Sequence, residues 1–289
     1  MPSQTRAEKN PYALRSGPLD VPFVPRRDYA EGPYGQVHFR DTGAGIPLVL
    51  CHQAPQTSRQ FTNVYEPLRR RGIRAIGVDT PGFGESDPTP FVPTVEDWAA
   101  AIPPVLDRLG LDTADVLGHH TGGMVATEVA LQFEERVRRL IINGPLPMSE
   151  ETRLGFLKYV KDAEIDFVFH ADGSHLQQSY LERHAFYEDG DPKTITRYVV
   201  EKFQGYAPFW TGHHAAFLYD HTAALARIKQ PTLILTNTGD QIYENALLAQ
   251  ELRPDFSFKA LDGGGIDIVD QLPEAWADAV AEFVKERER

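Results

Sequence analysis

An α/β fold, with a mostly parallel sheet, helices on both faces and a helical insertion, is the architecture the sequence predicts. Three observations predict it. Short apolar runs of strand length recur along the chain, helical patterns separate them, and one strand pattern passes through a glycine-flanked turn directly into a helix. The strand runs are Leu48 to Cys51, Ile73 to Val78, Ala114 to Leu117, Val137 to Ile142, Thr232 to Leu235 and Phe256 to Leu261. Strands separated by helical stretches pair in parallel, because the helix returns the chain to the same end of the sheet.

Taken in order, residues 1–27 are polar and proline-bearing without periodicity and read as an N-terminal extension. The core is expected over 28–145 and 229–289, with 146–228 inserted between its halves. A helix is expected from Val95 to Leu109, where Trp98, Ile102, Val105 and Leu109 form one apolar stripe facing the sheet. Another begins near Thr121, directly after the glycine-flanked turn. The insertion carries several helical patterns and many aromatics, of which most are expected to pack and a minority to line a pocket. Tyr206 to His214 is the segment assigned to that lining. The terminal Lys285-Glu286-Arg287-Glu288-Arg289 reads as a solvated helix end.

At 289 residues the chain is long enough for a sizeable core, and 29 Lys and Arg against 41 Asp and Glu leave a net charge of -12. That balance argues against a nucleic-acid surface or docking to an anionic membrane. The single cysteine, Cys51, lies in an apolar strand pattern, so no intrachain disulfide is possible and a reducing compartment is expected. With no membrane-spanning run and no secretory h-region, a cytoplasmic protein is expected. Ten histidines invite a metal, but neither H-x-x-x-H nor a Cys-His zinc spacing occurs, and no metal site is assigned. The absence of G-x-G-x-x-G after the first strand and of G-x-x-x-x-G-K-[ST] leaves cofactor-free chemistry as the expectation. A small-molecule substrate or ligand is the expected partner; a homodimer is compatible with the sequence, which carries no evidence for one.

Three motifs carry the chemistry. The first is the turn Gly118-His119-His120-Thr121-Gly122-Gly123, the second the loop His52-Gln53-Ala54-Pro55 after an apolar strand, and the third Asp79-Thr80-Pro81-Gly82-Phe83-Gly84-Glu85-Ser86-Asp87. In this order they resemble motifs of the α/β-hydrolase superfamily, most of all its epoxide hydrolase and haloalkane dehalogenase branch, over about Tyr34 to the C-terminus. The resemblance implies an α/β-hydrolase fold whose insertion forms a helical cap. It makes the Gly118–Gly123 turn a nucleophile elbow, the Thr121 amide and the Gln53 or Ala54 amide an oxyanion hole, and His52 a residue beside the site. It also makes Asp240, at the end of Thr232-Leu233-Ile234-Leu235-Thr236-Asn237-Thr238-Gly239-Asp240, the catalytic acid.

This chain departs from the family at Gln53, where the loop usually has a glycine, and twice at the catalytic positions. His120 stands at the nucleophile position, and Ile266 stands where the late-loop catalytic histidine is expected, so an ordinary Ser-His-Asp mechanism is unavailable. An imidazole reaches farther from its Cα than a serine hydroxyl, and Ile266 brings no competing base. His120 is therefore expected to meet Asp240, directly or through a water, as a His-Asp dyad suited to general-base or nucleophilic work. Asp267 is the alternative acid, ranked below Asp240. The pocket is assigned to His52, Tyr206, Phe209, Trp210, His213 and Ile266. The favoured function is a cofactor-independent hydrolase of a small, mostly apolar ester, lactone or epoxide. The alternatives are lyase, isomerase or oxygenase-like proton abstraction by His120, and a catalytically inactive homologue that only binds a ligand.

Overall fold

The computed structural model describes residues 23–186 and 190–286. Most of the expected N-terminal extension, residues 1–22, and the last three residues of the charged C-terminal run therefore lie outside the described residues. Eight strands form one sheet in the order β1-β2-β4-β3-β5-β6-β7-β8. They are β1 Arg26–Gly32, β2 Gly35–Asp41, β3 Ile46–Cys51, β4 Ile73–Val78, β5 Ala114–His119, β6 Val137–Asn143, β7 Thr232–Asn237 and β8 Ser257–Leu261. Pairings from β4 through β8 are parallel, while β1 and β2 form an antiparallel hairpin docked antiparallel on β4.

All the strands read from the sequence are present, with ends moved by at most two residues. The hairpin is the addition. Its outer strand, Arg-Arg-Asp-Tyr-Ala-Glu-Gly, buries Ala30 and leaves charges along the free edge, so it lacks the continuous apolar run of a central parallel strand.

The helices are α1 Thr62–Arg70, α2 Val95–Ala99, α3 Ile102–Arg108, α4 Thr121–Gln132, α5 Glu150–Val160, α6 Ser174–His184, α7 Pro192–Lys202, α8 Thr211–Leu218, α9 His221–Leu225, α10 Tyr243–Leu252, α11 Ile268–Gln271 and α12 Pro273–Val284. The expected single helix over 95–109 is split into α2 and α3. Pro103 and Pro104 cannot donate backbone hydrogen bonds to the preceding turn, so the helix must restart at Ile102. The stripe survives the break: Trp98, Ile102 and Val105 are fully buried, and Leu109 packs against the same core. A second core on the opposite face of the sheet gathers Phe61, Tyr65, Leu68, Trp276 and Val280.

Helix α4 is buried continuously from Thr121 to Ala130. Its small and apolar sequence suits that position, since both of its sides face protein. Helices α5 to α9 lie between β6 and β7 and dock onto loops at the carboxyl ends of the strands. The Ala207 amide donates to Gly82 O (2.9 Å), Thr57 Oγ1 donates to Glu201 Oε2 (3.2 Å), and Arg183 Nη2 donates to Asp267 Oδ1 (2.6 Å). Gly212 of α8 packs on Ala54 and Phe83 so closely that a Cβ there would clash with the Ala54 side chain. Among the described residues, no helix is long and apolar enough to cross a membrane.

Candidate active site

His120, Asp240, His52 and Asp79 follow β5, β7, β3 and β4, all at the carboxyl edge of the parallel sheet where open α/β folds place their ligands. His120 has φ 50° and ψ -113°, the one left-handed non-glycine conformation among the described residues. Such a conformation costs on the order of 1–3 kcal/mol and persists because the surroundings fix it. Those surroundings are explicit. The His120 amide donates to Asn143 O (2.8 Å) and the Gly123 amide to His120 O (2.7 Å), while a Cβ on Gly118 or Gly122 would strike backbone atoms of the turn or of the Cys51–His52 segment.

The turn aims the imidazole at Asp240. His120 Nε2 lies 2.8 Å from Asp240 Oδ2, with the His120 side chain 11% exposed and that of Asp240 0% exposed. Burial raises the Asp240 carboxyl, but the His120 imidazole and the Ile242 amide outweigh it, so the acid titrates below its ordinary value. Donation from Nε2–H to the carboxylate leaves Nδ1 as the ring's lone-pair nitrogen, and Nδ1 has no hydrogen-bond partner among the described residues. Gly144 packs on the ring's other side: a Cβ there would sit 2.7 Å from His120 Cδ2 and 2.9 Å from Nε2.

His119, the last residue of β5, stacks on His120 with ring centroids 4.6 Å apart. Its Nδ1 lies 3.0 Å from Asn143 Oδ1 and its Nε2 lies 2.8 Å from Ile266 O. Burial, followed by the adjacent His120 ring, pushes the His119 imidazole down to about 4. Trp276 Nε1 also donates to Asn143 Oδ1 (2.6 Å), so Asn143 ties α12, the elbow and the Ile266 loop together. Ile266 thus enters the site through its carbonyl.

Asp267 does not meet His120. Its Oδ1 accepts from Gln53 Nε2 (2.9 Å) and Arg183 Nη2 (2.6 Å), a buried knot joining the β3 loop, the late loop and α6. The Gln53 amide donates to Gln60 Oε1 (2.9 Å) and is not available to a ligand. Ala54 is left as the candidate donor of that loop. Thr121 opens α4, where an amide has no acceptor within the helix. His52 is fully engaged: Nδ1–H donates to Gln53 O (3.0 Å), and Nε2 accepts from the Thr80 amide (3.1 Å). Burial lowers its imidazole below the ordinary value, consistent with a neutral ring that braces the loop.

The residues assigned to a pocket lining separate in the structure. Phe209 is buried in an aromatic cluster with Phe167 and Phe203, and Lys202 Nζ lies 4.6 Å from its ring centroid. Trp210 packs edge-on against His214, whereas Tyr206 is 63% exposed. His213 Nδ1 meets Glu164 Oε1 at 2.6 Å; burial lowers this imidazole, but the carboxylate outweighs burial and raises it overall. Glu164 lies in a π-helical turn, Lys161–Ile165. Two cavities of about 390 and 540 Å³ lie off the dyad, neither lined by His120 or Asp240.

Sequence reasoning passed over Asn143, Gly144, Gln60 and Arg183, which hold this arrangement. Asn143 and Gly144 had a signal, a polar residue and a glycine ending the apolar β6 run. Arg183 and Gln60 had none, since their partners are 84 and 7 residues away and on other elements.

The family model for the alpha/beta hydrolase fold matches residues 46–269. The chain belongs to the α/β-hydrolase family. Among curated relatives, this α/β-hydrolase is 33% identical over 128 residues to haloalkane dehalogenase 2 of Mycobacterium tuberculosis, covering 44% of each chain. It is 34% identical over 119 residues to the 2-hydroxy-6-oxo-2,4-heptadienoate hydrolase of Pseudomonas putida, covering 40% of this chain and 43% of that one. The matches therefore span less than half the length of these relatives. Among solved structures, the Exiguobacterium antarcticum esterase superposes with a TM-score of 0.71 at 21% identity over 89% of this α/β-hydrolase and 99% of the esterase. Epoxide hydrolase A of Mycobacterium thermoresistibile superposes at 0.74 with 17% identity, covering 92% and 99%. Both likenesses are of fold.

Proposed function

We propose that this α/β-hydrolase is a cofactor-independent hydrolase of a small, mostly apolar ester, lactone or epoxide, with His120 as its base and Asp240 as the acid that orients it. The supporting observation is the 2.8 Å contact between His120 Nε2 and a fully buried Asp240 carboxylate, which leaves Nδ1 as the working nitrogen. With an ester, Nδ1 takes a proton from water as the water oxygen adds to the carbonyl carbon. The carbonyl electron pair moves onto oxygen, where the Thr121 and Ala54 amides are the proposed donors. Collapse of the adduct re-forms the carbonyl and breaks the bond to the alcohol, which departs with the proton from Nδ1. Asp240 stabilises the transient imidazolium; it does not itself take the proton. The cytoplasm is the proposed compartment and a small apolar molecule the proposed substrate, taken up between the core and helices α5 to α9, which we propose as a cap.

The test is turnover of a panel of p-nitrophenyl esters, aryl lactones and styrene-type epoxides by the wild type and by His120→Ala prepared side by side. Loss of about 10² to 10⁴ in kcat is expected in the variant, the usual worth of a positioned general base. Exchange of a substrate C–H with deuterated solvent but no hydrolysis would favour proton abstraction. Ligand binding with no chemistry in the wild type would replace the enzyme reading with a receptor.

A further inference from the structure

The cavity of about 540 Å³ lies between the β1-β2 hairpin, the Asp79 turn, the Thr57–Arg59 segment and Gln204 of the insertion. Arg27 from β1, Arg40 from β2 and Arg59 from the turn after β3 all line it, in a chain whose net charge is -12. Most of the described arginines are matched to carboxylates, as Arg74 is to Asp41 and Arg138 to Asp115. Arg27 and Arg40 are not: among the described residues neither has a carboxylate within 4.0 Å, and Arg40 makes only the bond from its Nε to Ser58 Oγ (3.1 Å). Arg59 has a loose contact, 3.6 Å from Glu201.

A second histidine-carboxylate pair belongs to the same cavity. His38 is 2% exposed and its Nδ1–H donates to Asp79 Oδ2 at 2.8 Å, while its Nε2 has no partner among the described residues. The two carboxylates in the lining do not cancel the arginines. Asp79 is met by His38 and by the amides of Ser58 (2.6 Å) and Glu85 (3.1 Å), and Glu85 is exposed at the rim, 3.4 Å from Gln204 Nε2. A histidine whose remaining ring nitrogen is open to the cavity, beside two guanidinium groups without carboxylates, is a polar arrangement suited to a ligand of opposite charge.

We propose that this cavity is a second binding site, separate from the His120 site, for a small oxyanion. The ligand presents its charged oxygens to Arg27, Arg40 and Arg59 and a hydroxyl or protonated oxygen to His38 Nε2. A phosphoryl group and a hydroxycarboxylate both meet that description. Isothermal titration of the full chain at low salt with inorganic phosphate, and in parallel with glycolate, separates the two sources. Saturable binding of at least one of them is expected, weakened about tenfold or more in Arg40→Gln and in Arg27→Gln, as loss of a charge-assisted bond predicts. The same affinity is expected in His120→Ala, which marks the site as distinct from the dyad. No saturable binding of either anion, binding undiminished in both arginine variants, or binding lost in His120→Ala would overturn the proposal.

Discussion

Gly144→Ala probes the dyad without touching either member. Gly144 has φ 71°, where an L-residue other than glycine loses roughly 1–2 kcal/mol. The added methyl would also lie 2.7 Å from His120 Cδ2 and 3.1 Å from Ile242 Cδ1, both well inside van der Waals contact. His120 is the side that can yield, because its side chain keeps 11% exposure while the Gly144 amide is held by Leu235 O at 2.9 Å. Its rotation breaks the bond to Asp240 and strands a buried carboxylate, at a cost of about 1.5–3 kcal/mol. The total loss is therefore about 2.5–5 kcal/mol in urea unfolding. Turnover on whichever substrate the wild type hydrolyses is expected to fall with the dyad, by about 10² or more. An unchanged unfolding midpoint with full turnover would refute the reasoning.

Other perturbations test separate parts of the account. Asp240→Asn keeps the shape but not the charge, so kcat should drop by about 10² to 10⁴ with little change in KM; equal kcat would remove the acid from the scheme. Glu201 is buried, and burial, opposed by Arg197 and Arg59, pushes its carboxyl from 4.5 up to about 7. The unfolded chain therefore releases this proton first, and its contribution to stability falls as pH rises through that window. Glu201→Gln should stabilise the protein by roughly 2–4 kcal/mol at pH 8 and by almost nothing at pH 4; a pH-independent difference in chemical denaturation would contradict this. Arg183→Met leaves the Asp267 carboxylate, 1% exposed, without its cation and should cost about 3–5 kcal/mol, whereas a loss below about 1 kcal/mol would show the knot to be structurally idle.

The parallel core was legible because buried central strands are written as largely apolar runs, and β3 to β7 follow those runs closely, with the short edge strand β8 found from its flanking apolar residues. The hairpin was not, because an edge strand carries charges where a core strand carries Val or Ile. The meeting of His120 and Asp240 followed from one substitution read against another, the imidazole at the elbow and Ile266 in the late loop. What surrounds that pair was illegible. Gln60 taking the Gln53 amide seven residues back, and Arg183 reaching Asp267 across 84 residues, are contacts that no periodicity encodes. The aromatic segment from Tyr206 to His214 shows the same limit: helical spacing announces aromatics, but only the packed structure divides buried Phe209 from exposed Tyr206.

Chemical rescue of His120→Ala by free imidazole, followed as hydrolysis of the best substrate in the panel, tests the central claim most directly. The account predicts an inactive variant whose rate climbs with imidazole concentration, because the cavity left beside Asp240 accepts the missing base. Wild-type hydrolysis retained by His120→Ala without imidazole would contradict it.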